Sequence, residues 1–313
     1  MKNILTLLLS FLSFYGFSQE NNDRIIYLDS NYVRVDQGNH SYYQIVQDFH
    51  LNKKFYVVEE FYKSGHLKMG AVSSDKFNFK FEGVVVNFFE NDTIQSKTLY
   101  SDGKPNGSSF SWYDNGKKRM EGEYVIDKFS ASKAQVLKIY QFWDENGVQK
   151  VTDGNGIQNV NSPNFSASGE IKDGLRNGNW TGTDKTYKLS FSDIYENGKF
   201  ISGVSKDDQS VERTYTQINE LPSPRKGFEH FYNFVGRKLN IGRNTNVSGK
   251  IMLSFIVDKN GAIDKIEVLR GMNIKLDREA IRVLKLYADW TPGNYRGKPI
   301  DVSYKLPISI LPN

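Results

Sequence analysis

Five segments with one wording recur along the chain, an aromatic pair, or Ile-Tyr in the last of them, followed by a short polar turn. They read FYKSG from Phe61, FFEND from Phe88, WYDNG from Trp112, FWDENG from Phe142 and IYENG from Ile194. Turns of this composition fold a chain back on itself as a β-hairpin when alternating apolar residues flank them, so no other feature limits the fold as much. From Gly65 the landmarks Asp92, Gly116, Gly147 and Gly198 follow at intervals of 27, 24, 31 and 51 residues. The unit is therefore about 25 residues, with insertions or one worn copy. Such units lean on their neighbours, and residues 54–203 are predicted to form a β-hairpin array. A second turn wording, DGKPNG from Asp102 and DGLRNGNW from Asp173, places glycine where the backbone must leave the region open to other residues.

On either side the text changes. The opening MKNILTLLLSFLSFYGFSQE is apolar from Ile4 to Phe17, shorter than the roughly 20 residues a membrane-spanning helix needs. Residues 1–18 read as a secretory signal peptide, with retention as an uncleaved inner-membrane anchor as the alternative. Residues 19–53 form a β-rich N-terminal segment in which RIIYLDSNYVRV suggests short strands and YYQIVQDFH either a strand or a short helix. Residues 204–227 carry few large apolar side chains, with Pro222 and Pro224 around Ser223, and are expected to be a linker.

The last stretch, residues 228–313, has the clearest periodicities. FEHFYNFVGRKL spaces Phe228, Phe231, Tyr232, Val235 and Leu239 as one face of a helix. KIMLSFIVD alternates Ile251, Leu253, Phe255 and Val257; DKNG from Asp258 turns the chain, and AIDKIEVL returns with Ile266 and Val268 inward. LDREAIRVLKLYADW puts Leu276, Ala280, Val283, Leu284 and Tyr287 on one helical stripe, with Asp277 and Glu279 in its first turn. The closing IDVSYKLPISI alternates without a fault, Ile300, Val302, Tyr304, Leu306, Ile308 and Ile310 against Asp301, Ser303, Lys305, Pro307 and Ser309. The fold class is thus mostly β, a hairpin array followed by a small α+β domain with a preceding helix. Pro307 has no N–H to give a ladder, so the closing strand is expected to lie at an edge or to run past its partner there. An open edge can accept an extended peptide as one more strand, or proline and lysine can blunt it against such pairing.

Composition narrows the chemistry. The 313 residues include no cysteine and four histidines, which removes disulfides, thiolate zinc sites and cysteine nucleophiles. No metal and no cofactor is expected. Asp114, Asp144, Asp173 and Glu196 recur beside the turns, where a carboxylate caps its own backbone more readily than it binds calcium. Trp112, Tyr113, Trp143 and Tyr195 are expected to close the thin core of the array rather than to stack on a ligand. Motifs for a serine hydrolase, a zinc peptidase, a phosphate-binding loop or a dinucleotide site are absent from the sequence. No catalytic residue is assigned, and a hydrolase built from two distant carboxylates is a remote third reading. The net charge of +5 gives no reason to expect nucleic acid. From Tyr215 onward 16 Lys and Arg stand against 9 Asp and Glu. Arg278, Arg282, Lys285 and Arg296 form a candidate basic face for an anionic partner, with peripheral membrane association left open.

Two resemblances sharpen this reading. DGLRNGNWTG and YDNGKKRMEGEY resemble the MORN-like repeats of the kind named after bacterial antitoxin components. FIVDKNGAIDKIEVLRG, LDREAIRVLK, DWTPG and GKPIDVSYKLPISI, spread in order from Tyr215 to Ile310, resemble the TonB C-terminal domain of bacterial energy transducers. The second resemblance implies a periplasmic or envelope location after export and a hairpin, helix and closing strand. It also implies strand addition of an extended segment from an outer-membrane transporter or another envelope protein. The peptide-binding edge would be Asp301, Val302, Ser303, Tyr304, Lys305, Leu306, Pro307 and Ile308. Trp290, Thr291, Pro292 and Gly293, with Gly297, Lys298 and Pro299, would form the bend that positions its start. A full transducer adds a membrane helix and a long proline-rich arm, which this sequence does not show, so a scaffolding repeat protein of the envelope is the alternative.

Overall fold

The computed structural model describes residues 22–30, 32–126, 135–240, 248–287 and 289–310. The expected leader, residues 1–18, lies outside them. Among the described residues the fold is mostly β: sixteen antiparallel strands follow one another as hairpins, and a small α+β region comes after them. Two compact units divide it, residues 1–156 with 173–175, and residues 157–172 with 176–313.

In the first unit β1 (Arg24–Leu28), β2 (Tyr42–Val46), β3 (Tyr56–Tyr62), β4 (Leu67–Ser73) and β5 (Phe81–Phe88) pair in chain order. They continue through β6 (Ile94–Ser101), β7 (Lys104–Trp112), β8 (Lys118–Ile126), β9 (Gln135–Trp143) and β10 (Gln149–Thr152). β2 pairs with β3 from Tyr42↔Tyr62 to Val46↔Val58, so the N-terminal β-rich segment is part of the same ladder. Val46, Phe49, Tyr56, Val58, Met69, Ala71 and Val85 form a core beneath it. Neighbouring repeats are tied at their turns, where the Tyr62 hydroxyl donates to Phe88 O (3.0 Å) and the Tyr113 hydroxyl to Trp143 O (2.8 Å). Tyr195 is buried, while Trp112, Tyr113 and Trp143 are half-buried against the thin sheet. Asp144 caps its own turn, its Oδ1 accepting from Asn146 N (3.0 Å) and Val148 N (2.9 Å).

The second unit begins inside β11 (Asn155–Ser162) and continues through β12 (Phe165–Lys172), β13 (Leu175–Asp184), β14 (Leu189–Glu196), β15 (Lys199–Asp207) and β16 (Glu212–Tyr215). Short strands β17 (Asn219–Glu220) and β18 (Ser223–Pro224) lead to α1 (Gly227–Lys238), β19 (Gly249–Val257), β20 (Ile263–Arg270) and α2 (Ile274–Leu286). The chain ends with β21 (Trp290–Thr291), β22 (Gly293–Tyr295), β23 (Lys298–Ile300) and β24 (Val302–Ile310). Residues 204–227, expected to be a linker, thus hold the end of β15 and all of β16, β17 and β18. Asn219 and Glu220 pair with Tyr295 and Asn294, and Ser223 and Pro224 with Thr291 and Trp290. Strand pairing uses the backbone, so a segment poor in apolar side chains can still be fixed.

The three-stranded sheet β20-β19-β24 and the two helices enclose one core. Ile251, Leu253, Phe255 and Val257 are buried along β19, and Leu276, Ala280, Val283, Leu284 and Tyr287 along α2 and its end. Each large aliphatic side chain buried there contributes about 1.5–3 kcal/mol. Asn273 starts α2, its side-chain oxygen accepting from Leu276 N (3.0 Å). Trp290 is the centre of the core, with Phe255, Phe231 and Tyr304 rings at 5.3, 5.7 and 5.7 Å. α1 buries a narrower stripe than its spacing suggested. Phe231 and Val235 are covered, whereas Phe228 and Tyr232 remain 36% and 44% exposed.

Candidate binding edge

β24 pairs with β19 in unbroken register from Val257↔Val302 to Gly249↔Ile310. On its other flank no strand pairs with it among the described residues. The hairpin before it decides which backbone groups face that flank. Asp258 N–H donates to Ala262 O (2.8 Å), so the even-numbered residues of β19 turn their backbone groups toward β20. The odd-numbered Ile251, Leu253, Phe255 and Val257 turn theirs toward β24, where their partners are Ile308, Leu306, Tyr304 and Val302. The backbone of Ser303, Lys305, Pro307 and Ser309 therefore faces outward. Pro307 occupies an outward position, where its missing N–H removes nothing from the ladder.

Side chains along the edge alternate as the sequence predicts. Leu306 and Ile308 are buried, Val302 and Tyr304 half-buried, and Ser303, Lys305 and Pro307 exposed. Asp301 precedes the strand and fixes its start, its Oδ1 accepting from Lys259 N (2.8 Å) in the β19–β20 turn. Beside the core-facing side of the edge lie the exposed rings of α1: Phe228 is 6.5 Å from Tyr304 and 6.2 Å from Tyr232, centroid to centroid. Burial, and then the neighbouring Tyr232, raise the Tyr304 phenol above its ordinary pKa.

The residues expected as a bend separate into two structures. Trp290 is core, and Thr291 pairs with Ser223 beside Pro292. Gly293, Gly297, Lys298 and Pro299 belong to a hairpin arm formed by β22 and β23, with Arg296 and Gly297 at its tip in left-handed conformations (φ 48° and 74°). The expected basic face also divides. Arg278, Arg282 and Lys285 are exposed on α2. Arg282 is engaged, donating to Glu279 at 2.7 and 2.8 Å and to Lys238 O at 2.9 Å. Its hydrogen bonds, with that from Asn240 N, hold the Glu279 carboxyl down to about 2. Arg296 does not belong to this face. It is buried and paired with Asp193 at 2.7 Å, because the arm carries its tip into β14. A signal for this existed in the sequence. The inward positions of β14 are Leu189, Phe191, Asp193 and Tyr195, and a carboxylate in an otherwise apolar row requires a cation.

Elsewhere in this unit, a shallow depression of about 490 Å³ over β11–β14 is lined by hydroxyl, amide and apolar side chains, among them Asn159, Ser168 and Thr181. A second, near 440 Å³, includes Asp184 and Asp207. Both carboxylates have structural partners. Asp184 accepts from Tyr295 and Tyr187 N, and Asp207 from Arg213 and two turn amides that keep its carboxyl below the usual range. Among the described residues no cluster of three or more metal-ligating side chains occurs, and no helix is long and apolar enough to cross a membrane.

Residues 241–309 match the family model described as the C-terminal part of the Gram-negative bacterial TonB protein. The match covers β19, β20, α2 and the arm, and most of β24. It gives the chain a TonB-type C-terminal domain and points to a role in the cell envelope. No curated protein matches the chain. The likeness of the hairpins to MORN-like repeats rests on their wording alone.

Proposed function

With a TonB-type C-terminal domain at residues 241–309 as the premise, we propose that β24 binds an extended peptide of an outer-membrane transporter or another envelope protein. The peptide adds to the sheet β20-β19-β24 as a fourth strand. The observation that carries this reading is the unpaired flank, where Ser303, Lys305 and Ser309 present N–H groups and these three with Pro307 present carbonyls. Each hydrogen bond to a visiting backbone contributes about 0.5–1.5 kcal/mol net. Pro307 leaves one gap in that ladder. The visitor's core-facing side chains run past Tyr304 toward Phe228 and Tyr232, which offer apolar surface, while its outward side chains meet Lys305. No bond is made or broken in this role, and export to the periplasm through the leader at residues 1–18 suits it.

The test uses decapeptides selected on the full-length chain from a random phage-displayed library, with affinity measured by calorimetry. Lys305→Pro removes one outward N–H and spares the ladder to β19. It is expected to weaken binding by several-fold to about tenfold with the melting temperature kept within a few degrees. Selected peptides that bind Lys305→Pro as tightly as the parent chain would refute strand addition at this edge.

A further inference from the structure

The arm formed by β22 and β23 ends in a built socket. Arg296 Nη2 donates to Asp193 Oδ2 at 2.7 Å, and the guanidinium lies 3.7 Å from the centroid of the Phe191 ring. Asp193 also accepts from the Tyr215 hydroxyl. The backbone of the tip is held as firmly as its side chain: Arg296 N–H donates to Ile218 O (2.7 Å), and Arg296 O accepts from Ser205 Oγ (2.7 Å). Around it the Tyr295 hydroxyl donates to Asp184 (3.0 Å), the Tyr295 ring packs on Tyr187 at 4.4 Å, and Lys298 Nζ donates to Tyr187 O (2.8 Å). Arg296 and Asp193 are 4% and 1% exposed. A buried pair of this kind holds only while both members stay in place, since either charge alone in the interior is strongly destabilising.

Two further facts give the socket a consequence. Asp184, Tyr187, Phe191, Asp193, Ser205 and Tyr215 all precede residue 241, so the family match contains the arm but not what holds it. The arm also runs directly into the binding edge, from Ile300 through Asp301 to Val302.

We propose that the last hairpins of the array are a working part of the binding module, and not a spacer: their socket on β13–β16 grips Arg296 and so fixes where β24 begins. The effect on peptide affinity rests on the edge reading above; the lock itself does not. Arg296 and Asp193 act here as positioning residues.

Hydrogen exchange on the full-length chain reads the lock without a ligand. Asp193→Asn removes the charge partner, and Tyr295→Phe removes the hydroxyl that donates to Asp184 and accepts from Arg296 Nη1, which serves if the first variant folds poorly. Amides of residues 293–303 are expected to exchange on the order of tenfold faster in Asp193→Asn and less so in Tyr295→Phe, while β19 and α2 keep their protection. A decapeptide selected on the parent chain is expected to dissociate several-fold faster from Asp193→Asn. Unchanged exchange at 298–303 in both variants would overturn the proposal, whatever the peptide does. Faster exchange there with an unaltered dissociation rate would overturn the link to β24. Faster exchange with no peptide bound even by the parent chain would support the lock and strike the edge reading instead.

Discussion

The β22–β23 arm and β24 adjoin in sequence, each contains a proline and a basic residue, and they meet opposite environments. In the arm, Pro299 lies opposite Asn294 inside a hairpin, and Arg296 is buried against Asp193 with its backbone bonded on both sides. In β24, Pro307 and Lys305 face solvent, and the outward backbone has no strand beside it among the described residues. The tip of one β element is therefore gripped by side chains and backbone, while the outward flank of the next has no strand beside it among the described residues. The difference shows that the open flank is not a by-product of a chain too polar to cover its edges. At the arm's tip this protein supplies a socket whose charged partner, Asp193, lies 103 positions earlier in the chain.

The comparison breaks most visibly at Arg296. Arg296→Met keeps much of the side chain's bulk and leaves Asp193 charged and buried, so chemical denaturation is expected to show a loss of about 3–5 kcal/mol. In the double variant with Asp193→Asn, most of that loss should not be repeated, because the uncompensated charge is gone. A loss for Arg296→Met below about 1 kcal/mol, the size of an exposed pair, would put the arm and the edge in the same class.

A middle-sized effect sharpens the same contrast at two glycines. A Cβ at Gly203 would stand 2.4 Å from the Tyr215 ring and 2.5 Å from its hydroxyl, and that ring is pinned by Asp193. Gly203→Ala should cost about 1–3 kcal/mol through overpacking. Gly236 in α1 has open space around it, so Gly236→Ala should be neutral or stabilising by up to about 1 kcal/mol. Equal melting temperatures for the two variants would mean that the socket yields as easily as a helix surface.

Much of this architecture was legible because it is written locally. Turns such as Asp144 to Gly147 need particular residues at particular positions, the β19 and β24 alternations show their inward faces, and Asn273 with the stripe from Leu276 to Leu284 announces α2. Pro307 even marked β24 as an edge. What escaped was written at long range or in backbone alone. Nothing in Asn219 and Glu220 reveals that they pair with Tyr295 and Asn294, since ladder bonds do not depend on the side chain. Arg296 resembled its neighbours on a basic face until its partner was known, and that partner is on β14. Phe228 and Tyr232 fitted a helical stripe, but α1 seats Phe231 deepest against Trp290, which leaves those two rings partly exposed beside the candidate edge.

The smallest expected effect separates the two arginine pairs. Arg282 and Glu279 lie on α2 at 2.7 Å, the same separation as Arg296 and Asp193, yet the Arg282 side chain is 50% exposed against 5% for Arg296. The Glu279 carboxyl titrates at about 2 in the folded chain against an ordinary value of 4.5. A carboxyl depressed on folding stabilises the folded state fully above its ordinary pKa, and this contribution fades as pH falls toward 2. Solvent and salt reduce its size, so Glu279→Gln should cost less than about 1 kcal/mol near neutral pH. The cost should shrink in 1 M salt and vanish near pH 2. Arg296→Met should lose nearly the same stability in low and high salt, because ions do not reach a pair buried between β14 and the arm. A matched salt series of melting curves checks both, and an equal salt response in the two variants would show that burial does not distinguish the pairs.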